Sequence, residues 1–166
     1  MTTATGTILL VEDNDDDVFA LRRAIKKAGV SNPLRVATDG QQAIDYLMAA
    51  GDPARKEQTP LPFLVLLDLK LPYRDGFEVL DWIRRQPQLG QVMVVMLTGS
   101  DEPRDHQRAY ALGARSYLVK PALADDIKRL FESFASRWPA AKSAADLRGS
   151  APNQEDDRRP DRNGQN

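Results

Sequence analysis

The sequence predicts an α/β fold: a doubly wound, five-stranded parallel sheet in the order 2-1-3-4-5, covered by five helices. Three observations predict it. Apolar runs of strand length alternate along the chain with segments of helical periodicity. The runs are nearly continuous, as strands buried on both faces are, and do not alternate as half-exposed strands do. Four of them also end in polar groups: Glu12-Asp13, Asp68, Thr98 and Lys120. In an open parallel sheet the carboxyl edge of the strands is where ligands bind.

The elements follow in order. Residues 7–11 read as a buried strand, with Ile8-Leu9-Leu10-Val11 running into Glu12-Asp13. Val18, Leu21, Ala24, Ile25 and Ala28 recur at helical spacing over 16–28, with Asp15 or Asp16 as the cap and Gly29 as the stop. Leu34-Arg35-Val36-Ala37 is a short second strand. Asp39-Gly40 turns into a second helix with Ala43, Ile44, Leu47 and Met48 on one face. Residues 51–62 form a long Pro-rich loop before the apolar strand at 63–67. Asp75-Gly76 opens a third helix built on Phe77, Val79, Leu80, Trp82 and Ile83, which Pro87 stops. A strand at 92–97, a helix near 103–112 ended by Gly113, a strand at 116–119 and a helix at 123–137 complete the alternation. Right-handed crossovers leave few topologies open. In the order 2-1-3-4-5 the first and third strands flank the switch point, so Glu12, Asp13 and Asp68 converge.

The predicted domain spans 6–139. Residues 140–166 are charge-balanced and carry Leu147 as their one large apolar residue, so they read as a polar, disordered tail. The chain has 166 residues and a formal net charge of -1, which gives no general attraction to nucleic acid. No helix-turn-helix pattern follows the domain. There is no cysteine, which excludes a disulfide framework, a thiolate metal site and a cysteine nucleophile. The N-terminus lacks the pattern of a signal peptide, and no apolar run approaches the roughly 20 residues of a membrane span. The expected location is the cytoplasm.

Three carboxylates, a hydroxyl and an ammonium suit a divalent cation beside an anionic group. Asp68 is the candidate nucleophile, since a carboxylate can attack phosphorus and become an acyl phosphate. That reaction needs charge neutralisation more than proton transfer. Mg²⁺ fits, because it takes oxygen ligands and keeps several waters. Glu12, Asp13 and Asp68 would hold it, with the backbone carbonyl of Lys70 as a further ligand. Acids at a strand-to-helix turn also cap helices, so Glu12-Asp13 alone has a second reading. Lys120 would pair with phosphoryl oxygens as a point charge, and the Thr98 hydroxyl would donate to one. Pro121 favours an extended Lys120, and a cis Lys-Pro bond suits a tight turn there. Asp15, Asp16 and Asp17 read as first-turn acids favoured by the helix dipole. Arg22-Arg23 and Lys26-Lys27 read as a solvated face. His106 lies in the polar stretch Arg104-Asp105-His106-Gln107-Arg108 and reads as a surface residue. As the only histidine it offers no internal phosphohistidine, so the phosphoryl group is expected from another molecule.

Val11-Glu12-Asp13-Asn14, Asp68 with Pro72 and Asp75-Gly76, Leu97-Thr98-Gly99 and Tyr117-Leu118-Val119-Lys120-Pro121, in this order at strand ends, resemble the receiver domain of bacterial two-component response regulators, a flavodoxin-like fold. The resemblance covers roughly residues 6–137. It implies that a partner histidine kinase donates a phosphoryl group to Asp68, that Glu12 and Asp13 hold Mg²⁺, and that Thr98 and Lys120 contact the phosphoryl group. It also implies that Tyr117 is the switch aromatic: as Thr98 is drawn inward, Tyr117 follows and the surface of the fourth helix and fifth strand changes. The long loop 51–62, the Glu-Asp-Asn start with Asp17 and the lack of an output domain look like the stand-alone receivers that serve bacterial phytochrome-type kinases. Such relatives often dimerise, so a homodimer is an expectation. A histidine phosphotransfer protein or a target protein is the expected downstream partner. The family commonly has Asn where this chain has Lys70, which bears on the lifetime of the phosphorylated state.

Two other functions compete. A Mg²⁺-dependent phosphohydrolase of the haloacid-dehalogenase kind also uses an Asp nucleophile, but it carries a second Asp where Lys70 stands, and its other acids follow the nucleophile instead of preceding it. A phosphorylation-independent interaction module on the same fold usually lacks one or more of the site residues, and all five are present here. The expectation is therefore a phosphoacceptor signalling protein, not an enzyme acting on a small-molecule substrate.

Overall fold

The computed structural model describes residues 6–55 and 57–134. The predicted tail at 140–166 and the end of the last predicted helix lie outside the described residues. Five parallel strands, β1 (Thr7–Val11), β2 (Leu34–Ala37), β3 (Pro62–Leu67), β4 (Met93–Thr98) and β5 (Ser116–Val119), pair in the order β2-β1-β3-β4-β5. Five α-helices alternate with them: α1 (Asp15–Lys27), α2 (Gly40–Ala50), α3 (Gly76–Arg85), α4 (Pro103–Ala111) and α5 (Ala124–Ser133). The predicted architecture and strand order are the observed ones.

The two-residue period of a strand divides the core into two layers. Leu9, Val11, Val65, Leu67, Val94 and Met96 pack beneath Ile44, Leu80, Ala109 and their neighbours from α2, α3 and α4. Ile8, Leu10, Leu64, Leu66, Val95 and Leu97 point the other way, towards Leu21 and Ile25 of α1 and Ile127 and Leu130 of α5. β1, β3 and β4 are covered on both faces, which is why their sequences show no polar alternation.

Side-chain caps start three helices. Asn14 accepts from Asp17 N at 3.0 Å, Asp39 from Gln42 N at 2.7 Å and Asp75 from Glu78 N at 2.9 Å. The first corrects the expected cap at Asp15 or Asp16. Four successive residues here have capping side chains, and Asn14 is the one with extended backbone. Gly29 and Gly113 take positive φ, +81° and +96°, at the ends of α1 and α4. Met48 departs from the predicted buried face of α2: it is exposed, and Ala50 is buried instead. Because α2 covers an edge of the sheet, its apolar stripe is narrower than the sequence periodicity suggests. The loop 51–62 contains a short 3-10 turn at Pro53–Arg55, and β3 already begins at Pro62. Tyr46 secures that loop by donating its hydroxyl to Pro60 O at 2.8 Å.

The helices differ in how firmly they are seated. Five of ten residues of α3 are buried, whereas α4 buries only Ala109 and has no side-chain cap. Arg22, Arg23, Lys26 and Lys27 are all exposed on α1, the solvated face that was expected. Among the described residues no helix is long and apolar enough to cross a membrane.

Candidate phosphoacceptor and metal site

Strand register assembles the site. Val11 pairs with Leu67, and Asp68 N donates to Val11 O at 3.0 Å. The next residues, Glu12 and Asp68, therefore leave the sheet side by side. Thr98 pairs with Val119, and Lys120 N donates to Thr98 O at 2.8 Å, which brings the hydroxyl and the ammonium to the same edge. Apolar strands end there because each chain has just emerged from the core.

Glu12, Asp13 and Asp68 each offer an oxygen within 4.8 Å of the others, with Glu12 and Asp68 buried and Asp13 exposed. An all-oxygen set open on one side suits a hard cation that keeps part of its water shell. The Lys120 ammonium sits against this set. It donates to Glu12 Oε2, to Asp17 Oδ2 at 3.0 Å and to Asp68 Oδ2 at 3.2 Å. The other Glu12 oxygen accepts from Asn14 N at 3.1 Å. Glu12 is only 2% exposed.

Electrostatics follow from this geometry. Burial pushes the Glu12 carboxyl above its usual range, only partly offset by Lys120 and the Asn14 N–H, and the charge of Asp68 adds to the rise. Burial works against the charged form of Lys120, but hydrogen bonds to Glu12 and Asp17 and the charge of Asp68 outweigh it and raise its pKa. The two directions are compatible: three carboxylates share one ammonium, so the cation gains more than any one anion.

Thr98 is fully buried, its hydroxyl oxygen 3.5 Å from Ser100 N, and Lys70 is exposed beside the same cleft. The cleft is lined by Asp17, Asp68, Lys70, Thr98, Ser100 and Lys120, among others, with a volume of about 490 Å³. The Lys120–Pro121 peptide is cis. Every side chain expected at the site is at this edge.

Two residues carry more than their sequence context implied. Asp17, read as a helix-dipole acid, is a direct partner of Lys120. His106, read as a surface residue, is a correction. Its ring stacks on Tyr117, and its Nε2 lies 3.0 Å from Asp101 Oδ1. Asp105, His106 and Ala109 form the inward stripe of α4, which polar flanks hide from a hydropathy reading. Tyr117 itself is buried and donates its hydroxyl to Ser100 O at 2.8 Å, and burial raises its pKa.

Comparison with known proteins agrees with the geometry. The family model for the response regulator receiver domain matches residues 8–132. The chain is 40% identical over 131 residues to the probable methanogenesis regulatory protein FilR2 of Methanothrix harundinacea, covering 79% of this chain and 82% of that one. It is 35% identical over 131 residues to response regulator Rcp1 of Synechocystis, covering 79% and 87%. Among solved structures, the phosphorylated cyanobacterial phytochrome response regulator RcpA superposes with a TM-score of 0.70 at 33% identity, covering 84% of this chain and all of that one. With β1 to β5 lying almost wholly within the matched span, and acids and a lysine meeting at their carboxyl edge, this chain belongs to the receiver domains of response regulators, which are signalling proteins.

Proposed function

We propose that the protein is a single-receiver response regulator that accepts a phosphoryl group on Asp68 from a partner histidine kinase. The observation that carries this reading is the Lys120 ammonium bridging Glu12 and Asp68 beside Asp13. The reading is further supported by relatives that this chain spans over most of their length.

In the forward step an Asp68 carboxylate oxygen attacks phosphorus. The P–N bond to the donor imidazole breaks, the imidazole leaves and takes up a proton, and an acyl phosphate remains. Glu12, Asp13, Asp68 and the Lys70 carbonyl would hold Mg²⁺, which when bound would supply charge neutralisation at the phosphoryl oxygens. Lys120 turns from its carboxylates to a phosphoryl oxygen as a point charge. The Thr98 hydroxyl donates to another. Water attack on phosphorus later restores the Asp68 carboxylate and releases inorganic phosphate. The signal leaves through Tyr117 and the surface of α4 and β5, a shift between two arrangements of one element. The kinase is of the phytochrome type, a reading that rests on the phytochrome response regulator among the structural relatives. Homodimerisation, and onward transfer to a histidine phosphotransfer protein or a target protein, belong to the same reading, as does a cytoplasmic location. No observation favours the hydrolase alternative, since the general-acid position is an exposed lysine, Lys70.

The test is intact mass after incubation with acetyl phosphate and Mg²⁺, for wild type and Asp68→Asn. One added phosphoryl group in wild type alone, lost with a chelator, is expected. No adduct in wild type, and none trapped with beryllofluoride, overturns the reading in favour of a phosphorylation-independent module.

A further inference from the structure

We infer that Asp17 is a positioning residue for Lys120: it holds the ammonium from outside the metal-binding set, so that Glu12 and Asp68 can turn to a divalent cation while Lys120 stays beside the phosphoacceptor. The inference rests on the proposed phosphoacceptor reading and concerns how its two cations share one group of acids.

Lys120 has three ammonium hydrogens and three carboxylate partners, Glu12, Asp17 and Asp68. Two of the three belong to the metal-binding set and one does not. Both oxygens of Glu12 are already engaged, one by Lys120 and one by Asn14 N. Metal binding at Glu12 and Asp68 therefore draws on the carboxylates that satisfy Lys120. An ammonium in a site this enclosed, with side-chain exposure of 18%, is costly to leave without partners. Without another acceptor, Lys120 would oppose the metal.

Asp17 is that acceptor. It projects from the first turn of α1, its side chain is 45% exposed, and its carboxylate can move with the ammonium. Its neighbours Asp15 and Asp16 are exposed and make no ion pair with Lys120. The backbone of Asp17 is fixed by the Asn14 cap, which does not depend on the Asp17 side chain. Replacing that side chain thus leaves the helix start intact.

Two effects of Asp17 on a cation share a sign, and a double-mutant cycle separates them. If the Asp17 charge acts directly through space, its removal weakens Mg²⁺ binding whether or not Lys120 is present. If Asp17 acts by holding Lys120, the weakening disappears once the ammonium is gone. The experiment is calorimetric titration of the full chain with Mg²⁺, without any phosphodonor, for wild type, Asp17→Ala, Lys120→Met and the double variant. Asp17→Ala is expected to raise the Mg²⁺ dissociation constant about fivefold beside Lys120, and less than about twofold beside Met at that position, on the scale of coupling between groups in contact. Asp17→Glu is expected to restore most of the affinity. The same factor in both backgrounds, or no effect in either, overturns the inference alone. A wild-type chain that binds no Mg²⁺ overturns the proposed function and this inference with it.

Discussion

His106 lies face to face with Tyr117, their ring centroids 3.8 Å apart and their planes inclined by 27°. The stack joins α4 to β5 at the residue through which the signal is proposed to leave. The rest of the contact set points the same way. Tyr117 donates to Ser100 O, Ser100 Oγ donates to Asp105 Oδ2 at 2.5 Å, and Asp101 lies against the imidazole. The loop at 99–102, the start of α4 and the aromatic are thus joined into one contact unit.

Removing the imidazole should loosen that unit. His106→Ala is expected to cost about 1 kcal/mol, the usual worth of a stacked ring pair. It should also broaden or shift the Tyr117 ring resonances in NMR spectra. Unchanged ring resonances would show that the hydroxyl bond to Ser100 alone holds Tyr117.

Gly76 is a point where α3 meets the backbone of the phosphoacceptor. A Cβ there would lie 2.3 Å from Asp68 O and 2.8 Å from Leu69 Cα. Both neighbours are backbone, so neither can swing aside. Gly76→Ala is expected to destabilise by about 1–3 kcal/mol, the range for overpacking a filled site, and to slow phosphorylation of Asp68 as well. Urea unfolding and acetyl phosphate kinetics measure the two. Loss of stability with an unchanged rate would show that Asp68 is insulated from the helix start.

Tyr46 links stability to alkaline pH. Burial raises its pKa above 10.0, with Arg35 opposing. A group whose folded pKa is raised contributes stability that is complete below its unfolded pKa and is lost as pH rises through the folded value. Stability should therefore fall above about pH 10. Tyr46→Phe should cost about 1 kcal/mol at neutral pH through the lost bond to Pro60, and should fall less steeply in alkali. Urea midpoints across that range decide it. Parallel curves for the two proteins would locate the alkaline loss elsewhere.

Lys70 stands exposed at the rim of the cleft, beside Asp68 and Lys120. From there it can reach a phosphoryl group once formed, or the path of the water that removes it. Lys70→Asn is expected to change the decay rate of the phosphorylated protein more than the yield of phosphorylation. Single-turnover decay after removal of the phosphodonor measures it. Equal decay rates in the two proteins would remove Lys70 from the reaction.

The sheet was legible because β1, β3 and β4 read as unbroken apolar runs, and four of the five strands lead into a polar residue that marks the edge. Glu12, Asp13, Asp68, Thr98 and Lys120 were legible for the same reason: each follows or closes a run. Asn14 was not, because in Asn14-Asp15-Asp16-Asp17 every side chain can cap and only backbone geometry chooses. Met48 was misplaced because helical periodicity does not report how much sheet lies beneath a helix. Asp17 and His106 were missed because their partners, Lys120 and Tyr117, are distant in sequence and arrive through the order of the strands. Local patterns carry no record of such meetings.

The sparse seating of α4, with one buried residue and an uncapped start, has an energetic consequence. Segments open with free energies that track the apolar contacts they would lose, and they do so in cooperative units separate from global unfolding. The amides of α4 should therefore exchange with solvent far sooner than those of β1, β3 or β4. The surface formed by α4 would then open separately from a sheet that stays intact, and any partner ordering that surface would act by closing a fluctuation that the fold leaves open.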